Sequence, residues 1–329
     1  MAVAPVASFE VETERREARK RWWRRMGTKE VVAVGAESIQ RVGVVGCGLM
    51  GSGIAEVCAR KGRSVTVVEL DPGALARGRN RIEASIRRAV SAGKLTEEEG
   101  EAALGRIELG TDVGALGDCQ LVVEAVVEAE PEKVRVFEAL DKVVEAPDAL
   151  LTSNTSSIPI MKLAMATQRP EQVVGLHFFN PVPILPLVEV VASLLSSKEA
   201  IERAEEFAVD ALGKHAIRSK DRAGFIVNAL LVPYLLSAIR MMESGFATPE
   251  DIDTGMVKGC AHPMGPLALT DLIGLDTTMA VANSLYEEFK EPLYAPPPLL
   301  ARMVDAGLLG KKTGRGFYDY SGGEAKVAR

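Results

Sequence analysis

Only three histidines occur in the 329 residues, and His177 closes the apolar run "VVGLHFF" at Val173–Phe179. Further along, Glu189 stands in "LPLVEVV" with apolar residues on both sides. An imidazole titrates near neutrality and can take the proton of a hydroxyl group, a contribution of ~10²–10⁴-fold to a reaction. A carboxylate in a buried strand must be paired or hydrogen-bonded, because an isolated ion there is costly. If the two strands are neighbours, Glu189 can accept from one His177 nitrogen, fix its tautomer and stabilise the imidazolium. The alternative is a purely structural buried His–Glu pair. Of the other histidines, His215 in "LGKHAIRS" reads as exposed, and His262, before Pro263, lies in a loop that could line a pocket.

A second group of residues has phosphate-binding character. Gly46-Cys47-Gly48-Leu49-Met50-Gly51 is a G-x-G-x-x-G between the strand-like "RVGVVG" and a helical segment ending at Gly62. In that context the glycines permit the tight turn, the approach of a pyrophosphate and the packing of helix on sheet, and the helix N-terminus offers free N–H groups. Glu69, after the next strand, can accept the adenosine ribose hydroxyls and repels an additional phosphate. These features favour NAD over NADP. A nicotinamide cofactor and a nearby base together suit the oxidation of a secondary alcohol.

The elements that must position these groups alternate in type. Strand-like runs at Arg41–Gly46, Ser64–Leu70, Cys119–Val126 and Ala149–Ser156, then "QVVGLHFF" and "LPLVEVV", are separated by helical periodicities. After Lys220 long helical patterns dominate and no convincing strand is found, with "TPED" and "HPMGP" marking starts and breaks. The predicted class is α/β: a Rossmann-type, mostly parallel sheet domain at 41–222 followed by an all-helical domain at 223–329. Residues 1–40 form a separate tail carrying "RKRWWRR" at Arg19–Arg25, read as flexible.

Composition narrows the function classes. A net charge of -6 with 26% charged residues argues against a general nucleic-acid or membrane surface, so an anionic ligand must be held by local cations. No apolar run is long enough to span a bilayer. Four cysteines without paired metal-like spacing read as reduced thiols of a cytoplasmic protein. A local basic source exists in "ARGRNRIEASIRRAVSAGK" at Ala76–Lys94, which is either an anion-binding helix or a solvated face.

"GCGLMGSGIA", "EAVVE", "SNTSS", "GLHFFNPVP", "DRAGFIVNALL", "HPMGPLALTDLIGLD" and "GKKTGRGFYDY" follow one another in the order that resembles the 3-hydroxyacyl-CoA dehydrogenases. The resemblance covers about 41–321. It implies an NAD-dependent exchange between (3S)-3-hydroxyacyl-CoA and 3-oxoacyl-CoA, with 3-hydroxybutyryl-CoA the expected substrate, in a homodimer formed through the helical domain. It makes His177 and Glu189 the catalytic pair, with Ser156 and Asn228 contacting the reacting oxygen or the thioester carbonyl. Glu128, Lys133, Ser156, Asn180 and Lys312 match cofactor contacts. Ser85 matches a coenzyme A contact, supported by Arg79 and Arg81. A further family lysine reads Ala92 here, leaving Lys94 as its substitute. Two other readings remain: a CoA-independent hydroxyacid or sugar-acid dehydrogenase, and a non-catalytic NAD-binding protein.

Overall fold

The structure, a computed structural model, describes residues 39–322 and 326–327; of the tail expected at 1–40, residues 1–38, with the Arg19–Arg25 cluster, lie outside them. Eight strands form one sheet: β1 (Arg41–Val45), β2 (Ser64–Val68), β3 (Ile107–Gly110), β4 (Leu121–Glu124), β5 (Leu150–Ser153), β6 (Val173–Phe178), β7 (Leu187–Ala192) and β8 (His215–Lys220). Their order is β3-β2-β1-β4-β5-β6-β7-β8. Only the β6–β7 pair is antiparallel. The central strands are buried on both faces, which is why they read as unbroken apolar runs.

Helices cover both faces. On one, α1 (Leu49–Arg60) and α2 (Pro72–Ser91) pack Ile54, Ala55, Ile82 and Ile86 against Val42, Val44, Val65 and Val67. On the other, α4 (Glu130–Val143) and the short α5 (Ile160–Ala164) place Phe137, Leu140, Ile160 and Leu163 against Val122 and Leu151. Between them, α3 (Glu97–Leu104) starts at a reciprocal Thr96–Glu99 capping box. After β7, α6 (Lys198–Glu206) is capped by Ser197 and leads to β8.

Beyond β8 the helices α7 (Val227–Glu243), α8 (Pro249–Gly259), α9 (Pro266–Ile273), α10 (Leu275–Phe289) and α11 (Pro298–Asp305) surround their own core of Leu236, Ile239, Leu267, Leu275, Leu285 and Leu300. This part is not wholly helical. Tyr318–Asp319 (β9) pairs with Lys326–Val327 (β10), an antiparallel ribbon that periodicity did not predict. The buried Asp271 carboxylate explains the extended backbone there: it accepts from the amides of Phe317 and Tyr318, both at 2.9 Å. Among the described residues, no helix is long and apolar enough to cross a membrane.

Candidate active site

The strand order reverses between β1 and β4, and the expected site residues gather at the carboxyl ends of the strands around that point. The turn after β1 needs glycine at Gly46: φ is +96°, and an added Cβ would lie 2.6 Å from the Ala125 carbonyl oxygen. Gly51 lies so close beneath that a Cβ would meet the Gly46 oxygen at 1.9 Å, which seats α1 against the strand end. Gly48 differs, with no heavy atom within 4 Å of a Cβ built there. The α1 N-terminus has no side-chain cap and no acid in its first turn, so the amides of Leu49, Met50 and Gly51 are left for an anion. Glu69 sits across this turn and accepts from the Cys47 amide at 3.1 Å. The cradle therefore fits a dinucleotide, with open amides for its pyrophosphate and a carboxylate for its ribose.

The strand ends opposite are organised by buried carboxylates. Glu124, at the end of β4, accepts from Lys133 Nζ at 2.7 Å, Ser153 Oγ at 2.6 Å and the Val126 amide at 2.7 Å. Lys133 also reaches Glu128 Oε2 at 3.2 Å. Glu128 Oε1 gathers the "SNTSS" loop, accepting from Thr155 Oγ1 at 2.5 Å, the Ser156 amide at 2.9 Å and Ser157 Oγ at 3.0 Å. Desolvation pushes the Glu128 carboxyl up, but the Lys133 charge and these hydrogen bonds outweigh it and hold its pKa below the usual carboxylate range. Ser156 is thereby placed at the rim, its hydroxyl 3.4 Å from Glu128.

His177 and Glu189 stand directly opposite each other in the antiparallel β6–β7 pair. His177 Nδ1 lies 2.7 Å from Glu189 Oε2, and Glu189 is fully buried. A carboxylate only accepts, so Nδ1 carries the proton and Nε2 is left as the basic atom. The rings of Phe179 and Phe225 meet the imidazole edge-on, with centroids at 4.6 and 5.4 Å. The second Glu189 oxygen accepts from the amides of Ile226 and Val227, each at 3.0 Å. One carboxylate thus orients the imidazole and caps the start of α7, where Asn228 is the second residue. Asn228 has no side-chain hydrogen bond among the described residues and is only partly buried, leaving its amide free for a ligand.

A cleft of about 420 Å³ adjoins the glycine turn, lined on one side by Leu49, Ser52, Arg81, Ser85 and Arg88 and on the other by Asn180 to Pro183. The structure thus brings Asn180, Arg81 and Ser85 together. Arg81 spends its guanidinium on the glycine turn, donating to the Cys47 carbonyl at 2.6 Å and to Ser52 Oγ at 3.3 Å. Arg79 and Lys94 are exposed and lie outside the lining, Lys94 beyond the end of α2; Arg77 and Arg88 line the cleft instead.

Two expected cofactor contacts have other surroundings. Lys133 is 1% exposed and enclosed by Glu124 and Glu128, so it acts on the site through Glu128. Lys312 binds both carboxylate oxygens of Asp276 at 2.6 Å and ties its loop to the start of α10. Sequence reasoning missed Glu124 and Asn154, whose side-chain oxygen accepts from the Phe178 amide at 2.8 Å and fixes the end of β6. Asn154 lies within the quoted "SNTSS", but nothing in its spacing marked it. No cluster of metal-binding side chains occurs among the described residues.

A doubly covered, mostly parallel sheet with an anion cradle at its reversal point, beside a carboxylate-held imidazole, is the arrangement of a dinucleotide-dependent dehydrogenase. Residues 41–222 match the 3-hydroxyacyl-CoA dehydrogenase NAD binding domain, and residues 224–320 match the C-terminal domain of the same enzymes. The chain belongs to the 3-hydroxyacyl-CoA dehydrogenase family. It is 62% identical over 285 residues to a 3-hydroxybutyryl-CoA dehydrogenase of Mycobacterium tuberculosis, covering 87% of this chain and 100% of the relative. It is 43% identical to human mitochondrial hydroxyacyl-coenzyme A dehydrogenase, over 86% of this chain and 91% of that protein. The crystal structure of M. tuberculosis FadB2 superposes with a TM-score of 0.85 at 62% identity, covering 86% of this chain and 99% of that one.

Proposed function

We propose that the chain is an NAD-dependent dehydrogenase that interconverts (3S)-3-hydroxyacyl-CoA and 3-oxoacyl-CoA, with 3-hydroxybutyryl-CoA as its short-chain substrate. The observation that carries the reading is the His177–Glu189 contact at 2.7 Å beside the glycine cradle. Bound NAD supplies the hydride acceptor. Gly46, Gly48, Leu49, Met50 and Gly51 hold its pyrophosphate, and Glu69 its adenosine ribose. Glu128 and Asn180 stand toward its nicotinamide end, with Lys133 behind Glu128.

His177 Nε2 takes the proton from the substrate hydroxyl as the carbonyl forms, and returns it in the reverse direction. Glu189 stabilises the imidazolium through Nδ1. Ser156 and Asn228 donate to the reacting oxygen and the thioester carbonyl, where the free Asn228 amide supplies a polar partner. Ser85, Arg77, Arg81 and Arg88 line the channel for the anionic coenzyme A.

The test is NADH oxidation with acetoacetyl-CoA by wild type and His177→Gln, with NADH affinity measured in parallel. The variant should lose at least about 100-fold in kcat while NADH affinity stays within about threefold, because only the group that carries the proton, the donor in this direction, is removed. Near-normal turnover by the variant would overturn the assignment.

We propose as well that the protein is a cytoplasmic homodimer joined through its helical part. Leu230, Phe246, Leu272 and Leu293 are exposed apolar side chains there, and four free thiols suit a reducing compartment.

A further inference from the structure

The loop between β6 and β7 contains Pro181, Pro183 and Pro186, three residues without an N–H to offer. Its own bonds run from the Ile184 and Leu185 amides to the Pro181 carbonyl, and the His215 amide takes the Pro186 carbonyl at 2.7 Å. The carbonyls of Val182 and Leu185 are met by a side chain instead. Lys214 Nζ donates to them at 2.6 and 2.7 Å.

Lys214 is an unusual choice for that task. It is 9% exposed, and no carboxylate among the described residues pairs with it. Burial, together with the like charges of Arg60 and Lys61, pushes its ammonium below the ordinary lysine range. A buried cation without a counter-charge is costly, so what it gains is the fixed position of the two carbonyls.

The opposite side of the loop is equally constrained. A Cβ at Gly53 of α1 would lie 2.9 Å from Val182 Cβ and 3.5 Å from Pro183 Cδ. The loop is therefore held between α1 on one side and Lys214 on the other. Its Pro181, Val182 and Pro183 form the wall that faces Ser85 and Arg88 across the cleft.

We propose that Lys214 is a positioning residue for substrate: by holding the Val182 and Leu185 carbonyls it sets the width of the cleft that admits coenzyme A. The proposal rests on the reading of that cleft given under the function above. Lys214 touches neither the His177–Glu189 pair nor the glycine turn, so its loss acts on substrate affinity and leaves the chemical step intact.

The experiment compares wild type, Lys214→Met, Lys214→Arg and Gly53→Ala, each assayed with acetoacetyl-CoA and with the truncated acetoacetyl-N-acetylcysteamine thioester. NADH affinity is read by fluorescence titration. Lys214→Met should raise KM for acetoacetyl-CoA roughly tenfold, with kcat, truncated-thioester kcat/KM and NADH affinity all within about twofold. Lys214→Arg, which can still donate to both carbonyls, should recover most of the lost affinity. Gly53→Ala, which presses the loop from the other side, should give the same selective rise in KM.

A Lys214→Met enzyme whose KM stays within about twofold of wild type overturns the proposal. So does a parallel loss of NADH affinity and of truncated-thioester turnover, which is the mark of general destabilisation. If Lys214→Met does not fold, Gly53→Ala decides: a selective KM effect supports the latch, and unchanged KM refutes it. A wild-type enzyme that uses both thioesters equally well refutes the underlying cleft assignment and is recognised before any variant is made.

Discussion

Replacing Glu189 with glutamine separates its two duties, because the side chain keeps its size and exchanges one acceptor for a donor. Ile226 N–H and Val227 N–H both point at one carboxylate oxygen, and the other faces His177 Nδ1. The carboxamide oxygen must turn toward α7; the opposite orientation would leave the half-buried Ile226 and Val227 amides uncapped, at about 1 kcal/mol. Its NH2 then faces Nδ1, which must become the acceptor, and the ring proton moves to Nε2. That tautomer cannot accept a proton at the substrate-facing nitrogen. Forcing the working tautomer sets two donors against each other, and the charge-assisted bond to the imidazolium, about 1.5–3 kcal/mol, is lost as well. Together these amount to roughly 3–6 kcal/mol, or a kcat loss of roughly 10²–10⁴-fold.

The assay is kcat with saturating NAD and (3S)-3-hydroxybutyryl-CoA, the direction in which Nε2 must accept the proton, accompanied by NADH affinity and a thermal melt. Glu189→Gln should melt within about 2 °C of wild type because the α7 cap is kept. Glu189→Ala should lose about 1 kcal/mol more in stability through the exposed amides. A Glu189→Gln enzyme with more than about a tenth of wild-type kcat refutes the tautomer argument. An equal fall in NADH affinity also refutes it.

Two further outcomes follow from the site's surroundings. The Glu128 pKa is lowered in the fold, so its contribution to stability is complete above the unfolded carboxylate value of about 4.3 and is lost as pH falls through the folded pKa. Thermal midpoints against pH should therefore fall less steeply on the acid side for Glu128→Gln, meeting wild type at low pH; curves offset equally at every pH would contradict this. A Cβ at Gly78 of α2 would lie 2.0 Å from Cys47 Sγ and 2.6 Å from the Cys47 carbonyl, inside the glycine turn. Gly78→Ala should cost about 1–3 kcal/mol of stability and weaken NADH binding, and an unchanged NADH titration would show that the turn yields without consequence.

Much of this arrangement was legible because central parallel strands are buried on both faces. Val42–Val45, Leu121–Val123 and Val173–Leu176 announce themselves as apolar runs, and Gly46 to Gly51 mark the first strand end. The edge strands were harder. "HAIRSK" of β8 and "IELG" of β3 are half solvated, so neither shows an apolar run. The Asp271-held ribbon escaped for a related reason, since its strand is imposed by a side chain distant in sequence. Chemistry followed the same division. His177 and Glu189 stand out as polar residues in apolar strands, whereas the carbonyl contacts of Lys214 and the enclosure of Lys133 depend on three-dimensional neighbours. Arg79 and Lys94 lie outside the lining of the cleft, a placement that neither charge nor resemblance reports.

The crossover from sheet to helices is fastened at several points. Asp221 holds the amides of Ile160 and Met161 at 2.8 and 2.7 Å, Glu288 holds the Ala223 amide at 2.8 Å, and Glu189 holds the start of α7. Three carboxylates from different parts of the chain make residues 221–227 a weld rather than a hinge. Swinging the helices away from the sheet would uncap α7 and pull on the carboxylate that orients the imidazole. The base and the turn of α7 that carries Asn228 therefore share one carboxylate as a common anchor.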